Sequence, residues 1–459
     1  MGKYFGTDGI RRKSSEFDSD FLTKIALAIT KELKSNKQEK NKILIGGDTR
    51  YSSESIIDIM TEALLENSID VCRVGIIPTP AISFLTKEYK ADMSIMISAS
   101  HNPEEDNGIK VLNNKGLKLT DDTIKRLEEI IDNPVFPDKI NAPRGEGEYC
   151  HDEAIEKYIN HLITSTKENL SSLNILVDCA NGATSVIAKE LFMHLGASAK
   201  LINSLGFFGA PINKDCGSTH LERIITDLDN TFDFGVAFDG DGDRALFVAK
   251  DESGNIQKID GDHIIAIIAD DLKKEGKLNN NMIATTVMAN LGLSNWARDN
   301  GIEVVTTDVG DTNVKEAMDK YNISVGGEQS GHIILEGQST GDGILTALTI
   351  ASIVKKTNKS LVELASIITK TPQKHEDFTA TEEEKKLISS PELTSYVASI
   401  NKDLALQGAK INLRASGTEP VIRLTVWANT EEEITEILAD MVSFLYKYLS
   451  PAKQLTIKP

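Results

Sequence analysis

Asp239, Asp241 and Asp243 alternate with Gly240 and Gly242, and Arg244 closes the run. At a period of two their side chains can point to one side, and the glycines let the backbone wrap closely. Three hard oxygens at that spacing suit Mg²⁺. An EF-hand loop also opens D-x-D-x-D, but Arg244 stands at its glycine position and Lys250 at its bidentate-glutamate position. Apolar residues on both sides, from Phe234 to Phe238 and from Ala245 to Val248, anchor the run at each end. A solvated acidic turn has no such anchors.

Four further stretches carry reactive or charged groups. Ile97-Ser-Ala-Ser-His-Asn-Pro103 sets Ser100 beside His101, and Lys110 follows shortly after. Taken alone, that stretch also fits a Ser/Asn turn. Arg414-Ala-Ser-Gly-Thr418 with Arg423 suits phosphate binding. Gly417 exposes amides, Ser416 and Thr418 donate hydroxyls, and the arginines carry charge; an ordinary hairpin turn is the competing reading. Arg11, in the Gly-containing run Phe5 to Arg12, can meet a phosphate through a bidentate fork, although this stretch alone reads better as a solvated N-terminal turn. In Gly326-Gly-Glu-Gln-Ser-Gly-His332, Glu328 reads as a sugar-hydroxyl acceptor. His332 has a reference pKa of about 6.5, suited to proton transfer, though taken alone it reads better as a satisfied structural histidine. No G-x-x-x-x-G-K-[ST] occurs, which disfavours a P-loop kinase.

These stretches sit where strands should end. Apolar runs at 42–45, 93–97, 174–178, 234–238, 282–287 and 323–325 each give way to a polar loop, with helical periodicity between them. Further helices are expected at 20–34, 55–66, 183–195, 260–274 and 312–320, and another strand at 71–77. Six strand-to-loop exits in three pairs predict three similar α/β units. Such sheets place ligand loops at the carboxyl ends of their strands, so the loops should converge on one cleft. The last part differs: two strands around 410–428 and a helix at 431–448 predict an α+β unit with an antiparallel sheet. Residues 133–148 read as a linker, 251–255 as a polar turn, and 371–384 as a charged separator. The expected domains are 1–150, 151–255, 256–372 and 373–459.

Composition narrows the function. The chain has 459 residues, 40% hydrophobic and 26% charged, with a net charge of −19 and no basic block. That is ordinary globular composition, and nucleic acid is not an expected partner. No run approaches a membrane span, and the N-terminus lacks an apolar signal core. Cys72, Cys150, Cys179 and Cys216 show no CxxC pairing, so four buried, reduced thiols in a cytoplasm are expected.

Set in order, FGTDGIR (5–11), DTR.S (48–52), TPA (79–81), ISASHNP..DNGIK (97–110), DGDGDR (239–244), GGEQSGH (326–332), TGDG (340–343) and RASGTEP (414–420) resemble the α-D-phosphohexomutase superfamily over nearly the whole chain. FGTDGIR and GEQSGH point to its glucosamine-phosphate branch. The resemblance implies an α/β protein of three similar domains with mixed sheets plus a C-terminal α+β domain, arranged around a central cleft. It implies that Ser100 is phosphorylated and that Asp239, Asp241 and Asp243 hold Mg²⁺ together with a phosphoserine oxygen. Glu328 and Ser330 would touch sugar hydroxyls. Arg414, Ser416, Gly417, Thr418 and Arg423 would hold the non-reacting phosphate. Lys110 and His332 are the implied proton-transfer residues, and Arg11, His101 and Arg244 would surround the phosphoserine. Three aspartates, Mg²⁺ and a phosphoserine sum to about −3, which calls for Arg11, Lys110 and Arg244 nearby.

The implied reaction interconverts glucosamine 6-phosphate and glucosamine 1-phosphate through a 1,6-bisphosphate, feeding UDP-N-acetylglucosamine and cell-wall synthesis. Glucosamine or glucose 1,6-bisphosphate would be the activator or intermediate, and the partner is a phosphorylated amino sugar. A homodimer is left open. Competing readings are a phosphoglucomutase or phosphomannomutase, a phosphoserine-dependent sugar phosphatase, and a passive sugar-phosphate binder. Two departures stand out: Arg12 replaces the glycine that usually closes FGTDGIRG, and residues 307–313 lack the family's usual basic residues. No substrate contact is assigned to that segment.

Overall fold

The computed structural model describes residues 2–36, 41–135, 143–416 and 420–449, without the side chains of residues 35 and 36. The first sheet is built from β1 (Ile10–Lys13), β2 (Asn41–Gly47), β3 (Ile69–Ile76), β4 (Met93–Ile97), β5 (Asp106–Asn113) and β6 (Gly147–Tyr149) in the order β1-β5-β4-β2-β3-β6. The second contains β7 (Asn174–Asp178), β8 (Ser198–Ile202), β9 (Phe234–Phe238), β10 (Ala245–Lys250) and β11 (Ile256–Ile259), ordered β11-β10-β9-β7-β8. The third has β12 (Met282–Thr286), β13 (Glu303–Thr307), β14 (Val325–Gly327) and β15 (Ile333–Leu335), ordered β13-β12-β14-β15. β16 (Gln373–Thr379), β17 (Lys410–Ala415) and β18 (Val421–Trp427) form an antiparallel sheet with β18 in the middle.

The three larger sheets repeat one device. A parallel core carries one central strand that turns back as an antiparallel neighbour: β4 into β5, β9 into β10, β14 into β15. The connections of these three hairpins hold Ser100, the three aspartates, and Glu328 to His332. β4 and β9 are buried at every residue. Continuous apolar runs of that kind belong to strands covered on both faces, so the polar residues after them mark the sheet's edge. The mixed sheets and the all-antiparallel last sheet match the expected fold class.

The core divides unevenly. One continuous apolar cluster runs from Leu44, Val74 and Met96 through Tyr158, Phe192 and Phe238 to Ile265, Ile344 and Ile368, joining the first three units. The last unit has its own cluster, with Phe378, Leu424, Val426, Ile434 and Leu445.

Several expectations need correction. Cys72 on β3 and Cys150 beyond β6 form a disulfide, and only Cys179 and Cys216 are free thiols. The two paired cysteines are 78 residues apart and come together because β6 lies parallel to β3, a pairing that no local spacing shows. The expected linker contains β6, and its residues 136–142 lie outside the described residues. The expected separator contains β16, whose polar sequence Gln-Lys-His-Glu-Asp-Phe-Thr belongs to an edge strand. Arg12 lies in β1, paired with Asn107, and its guanidinium stacks over Phe21 at 4.3 Å and Tyr4 at 5.3 Å. Among the described residues no helix is long and apolar enough to cross a membrane.

Candidate active site

Ser100 stands in left-handed backbone, φ 53°, a conformation that costs a non-glycine residue energy and persists only when its surroundings hold it. The holder is Arg50. It is fully buried and its Nε donates to Asp48 Oδ2 at 3.0 Å. Its two terminal nitrogens donate to the carbonyls of Ser100 (3.0 Å), Asn102 (2.8 Å) and Asp106 (2.9 Å). Asn213 of the second unit donates to the Ser100 and Asn102 carbonyls as well, at 2.8 and 2.9 Å. On the other side, the Ser98 hydroxyl donates to Asp48 at 2.6 Å and accepts from the Ser100 amide at 2.8 Å. The loop that looked like a plain turn is therefore fastened from two domains.

The Ser100 hydroxyl so presented donates to Asp239 Oδ2 at 2.6 Å and lies 3.3 Å from His101 Nδ1. The approach is close: a Cβ on Gly240 would sit 2.6 Å from the Ser100 carbonyl. Asp239, Asp241 and Asp243 are buried, and each offers a carboxylate oxygen within 4.8 Å of the others. Burial, with Asp243 and Asp241 adding to it, pushes the Asp239 carboxyl well above the usual range. Asp241 Oδ2 accepts from Thr79 (2.5 Å) and Lys110 (2.8 Å). Its Oδ1 is buried and accepts no hydrogen bond. Asp243 Oδ1 is also without one; His332 Nδ1 at 3.6 Å and Arg244 Nε at 3.9 Å are its basic neighbours. Two buried carboxylate oxygens without donors, on Asp241 and Asp243, converging with Asp239, fit a hard divalent cation.

The expected cations gather here. Lys110 is buried and touches Asp241, Asp243 (3.4 Å) and Asp8 (3.2 Å). Arg11 pairs with Asp8 and donates to Asn102 Oδ1 at 3.1 Å. The Arg244 amide donates to Asp239 Oδ1 at 3.2 Å. Burial, Arg244 and Arg11 push His101 down to about 3, so its ring is neutral near pH 7. His332 Nε2 accepts from the Gly341 amide at 2.9 Å, which leaves the neutral ring's proton on Nδ1, toward Asp243. Both readings of His332 thus meet in one residue: it is buried and satisfied, and it faces the cluster.

Glu328 and Ser330 stand half-buried on the β14–β15 connection. Glu328 Oε1 accepts from the Gly310 amide at 3.1 Å. Arg414 on β17 is directly opposite Arg423 on β18. Burial and Arg423 lower the Arg414 pKa, while Asp377 and Glu328 oppose them, so Arg414 lies within electrostatic reach of the Glu328 loop. Ser416 is buried and its amide donates to the Val421 carbonyl at 2.9 Å. Gly417 and Thr418 lie outside the described residues.

Sequence reasoning missed Asp8, Asp48, Arg50, Thr79 and Asn213, as well as Lys118 and Asp311. The first four sit in motifs that were singled out without a role. Lys118 beyond β5 and Asp311 at the start of the helix Asp311–Tyr321 carry no local signal, yet they ion-pair at 2.7 Å. Asp311 belongs to the very segment given no role. Asp8, Thr79, Lys110, Lys118, Asp243 and Asp311 share a cavity of about 180 Å³ beside the cluster.

Comparison with known proteins agrees with this architecture. Models of the phosphoglucomutase/phosphomannomutase family match in sequence order: alpha/beta/alpha domain I at residues 2–138, domain II at 156–254, domain III at 260–371 and the C-terminal domain at 362–443. Phosphoglucosamine mutase of Acetivibrio thermocellus is 40% identical, covering 98% of this chain and 100% of the relative. That of Clostridium novyi is 41% identical, covering 96% and 99%. Among solved structures, a phosphoglucomutase/phosphomannomutase family protein from Burkholderia thailandensis superposes with a TM-score of 0.81 at 22% identity, covering 99% of this chain and 100% of that one. The N-acetylphosphoglucosamine mutase of Aspergillus fumigatus, in complex with GlcNAc-6P and magnesium, gives a TM-score of 0.72 at 17% identity, covering 97% and 96%. With full-length relatives at that identity and four domain models in register, the chain belongs to the phosphoglucosamine mutase family of the α-D-phosphohexomutases.

Proposed function

We propose that this chain interconverts glucosamine 6-phosphate and glucosamine 1-phosphate by lending a phosphoryl group from Ser100 and reclaiming it from the sugar's other end. The observation that carries the reading is the Ser100 hydroxyl, 2.6 Å from Asp239 in a buried three-carboxylate cluster. In the forward direction, the sugar C1 oxygen forms a new bond to phosphorus as the Ser100 Oγ–P bond breaks. The product of that step is the 1,6-bisphosphate, which turns over in the cleft. Its C6 phosphoryl then returns to Ser100, leaving the 1-phosphate.

Phosphoryl transfer is mainly positioning and charge neutralisation. Arg50 and Asn213 hold the Ser100 carbonyl, so Oγ is aimed before substrate arrives. With His101 neutral, the positive charge around a phosphoserine comes from Arg11, Arg244 and Lys110. Lys110 and His332 are the groups assigned to proton transfer at the sugar hydroxyl. Asp239, Asp241 and Asp243 would hold Mg²⁺, which neutralises phosphoryl charge when bound. Glu328 and Ser330 take sugar hydroxyls. Arg414, Ser416 and Arg423, with Gly417 and Thr418, take the phosphate that is not reacting. The domain limits 1–150, 151–255, 256–372 and 373–459 belong to this reading, as does glucosamine or glucose 1,6-bisphosphate as activator. So does a cytoplasmic site, where free sugar phosphates are made; the Cys72–Cys150 disulfide does not argue for it.

A coupled assay tests the reading. kcat/KM should be highest for glucosamine phosphate among glucosamine, glucose and mannose phosphates, and should rise with added 1,6-bisphosphate. A higher value for glucose or mannose phosphate moves the chain to the phosphoglucomutase/phosphomannomutase branch. Release of inorganic phosphate without isomerisation makes it a phosphatase.

A further inference from the structure

Six ionisable side chains, acids and bases, close a ring beside the reacting centre. Asp243 meets Lys110 (3.4 Å), Lys110 meets Asp8 (3.2 Å), and Asp8 meets Lys118 (2.7 Å). Lys118 meets Asp311 (2.7 Å), Asp311 meets His332 Nε2 (3.7 Å), and His332 Nδ1 returns to Asp243 (3.6 Å). Acid and base alternate all the way round. Asp8, Lys110 and Lys118 come from the first unit, Asp243 from the second, Asp311 and His332 from the third.

We propose that Lys118 and Asp311 are positioning residues for the mutase reaction: together they hold Lys110 and His332 in place against the metal loop and tie the seat of the third unit to the Ser100 loop. The proposal rests on the mutase reading above. Among the described residues, no hydrogen bond or ion pair joins Lys118 or Asp311 to Ser100 or to the three aspartates, so the pair acts through its neighbours. The neighbours explain how. Asp8 is shared by Lys118, Lys110 and Arg11. Without Lys118, Asp8 is left to Arg11 and Lys110, and its stronger pull draws Lys110 from Asp241 and Asp243. Asp311, released on the other side, turns its unbalanced charge toward the acceptor Nε2 of His332 and disturbs the ring whose Nδ1 faces Asp243. Asp311 also opens the helix Asp311–Tyr321, and the amide just before it, that of Gly310, holds Glu328. One ion pair therefore fixes both a proton-transfer candidate and the sugar loop. Lys118 is the ring's outer member, its side chain 22% exposed against 3% for Lys110. It can thus be replaced with less damage to the core than Lys110.

The test compares Lys118→Met, Asp311→Asn, the double variant and Lys118→Arg with wild type. Each is assayed with glucosamine 6-phosphate and saturating bisphosphate, and thermal unfolding is followed in parallel. Lys118→Met should lower kcat by about tenfold to a hundredfold while KM moves less than about threefold, because misplacement acts on the transition state. Lys118→Arg should restore kcat. The double variant should be no slower than the worse single one, since it removes a charge pair and leaves Asp8 with Lys110 and Arg11. The proposal is overturned if Lys118→Met keeps kcat within about twofold of wild type. It is equally overturned if the loss follows the fall in unfolding temperature and Arg does not rescue it, or if only KM moves. A wild type active only on another sugar phosphate corrects the substrate, and the same variants are then compared on that one. A wild type inactive on all three sugar phosphates overturns the mutase reading, and this inference with it.

Discussion

Ser100 follows the end of β4 and Arg414 lies near the end of β17, but the two strand ends are mounted differently. The Ser100 loop sits over the apolar cluster that joins three units, and a buried Arg50 and Asn213 hold its carbonyls from two domains. Its charges are answered locally by alternating acids and bases. Arg414 belongs to a unit with a separate core. It meets the rest of the chain through polar contacts such as Lys410 to the Val287 carbonyl (2.8 Å) and Gln329 to Gln373 (3.2 Å). There two arginines face one another across strands beside Asp377, and on the proposed reading an incoming phosphate would add a second counter-charge to that like-charge pair. On the proposed reading, a nucleophile must be aimed in advance, whereas a clamp that takes either end of a turning sugar would gain from a mounting on a separate core.

The contrast can be broken in four ways. The largest effect belongs to Asp241→Ala. It should abolish Mg²⁺-dependent turnover, and a Mg²⁺ titration in which the variant keeps the wild-type response would remove the aspartates from the metal site. Next is Arg50→Met. It leaves Asp48 buried without its partner and should cost about 3–5 kcal/mol in denaturant unfolding, with activity falling as the Ser100 loop loosens. Arg423→Ala should do the reverse. Stability should change by less than about 1 kcal/mol, while KM for both the 6-phosphate and the 1-phosphate rises about tenfold. Equal stability losses for Arg50→Met and Arg423→Ala would erase the distinction.

The smallest effect is a pH dependence inside the shared core. Asp342 caps the helix Gly343–Thr357 and accepts from Tyr158 at 2.6 Å, and burial pushes its carboxyl up to about 6. Its folded pKa exceeds the unfolded one, so the folded state takes up a proton first as pH falls from 6 toward 4. Asp342 therefore favours folding progressively through that window and weighs against it above. Compared with Asp342→Asn, wild type should gain up to about 3 kcal/mol between pH 7 and pH 4. A constant difference across that range contradicts the shift.

Much of this was legible before folding. Apolar runs ending in Ser, Asp and Gly located Ser100, the three aspartates and Glu328, because buried strands leave a plain hydrophobic trace. Polar strands left none: β16 and the start of β5 read as loop, since an edge or a site-lining strand need not alternate. Residues that work across units were also silent. Nothing near Arg50 announces that it will bind the carbonyl of Ser100, and Lys118, Asp311 and the Cys72–Cys150 pair acquire their partners only through topology. Local pattern reveals what a strand delivers, while the supporting shell depends on which elements become neighbours.

The central claim is that Ser100 carries the phosphate that reaches the sugar, and a single-turnover chase tests it most directly. Enzyme labelled with radioactive phosphate and mixed with glucosamine 6-phosphate should pass its label to the sugar within one turnover, first as bisphosphate, and Ser100→Ala should hold no label to pass. Label that stays on the protein while product forms, or a Ser100→Ala enzyme that turns over like wild type, would contradict it.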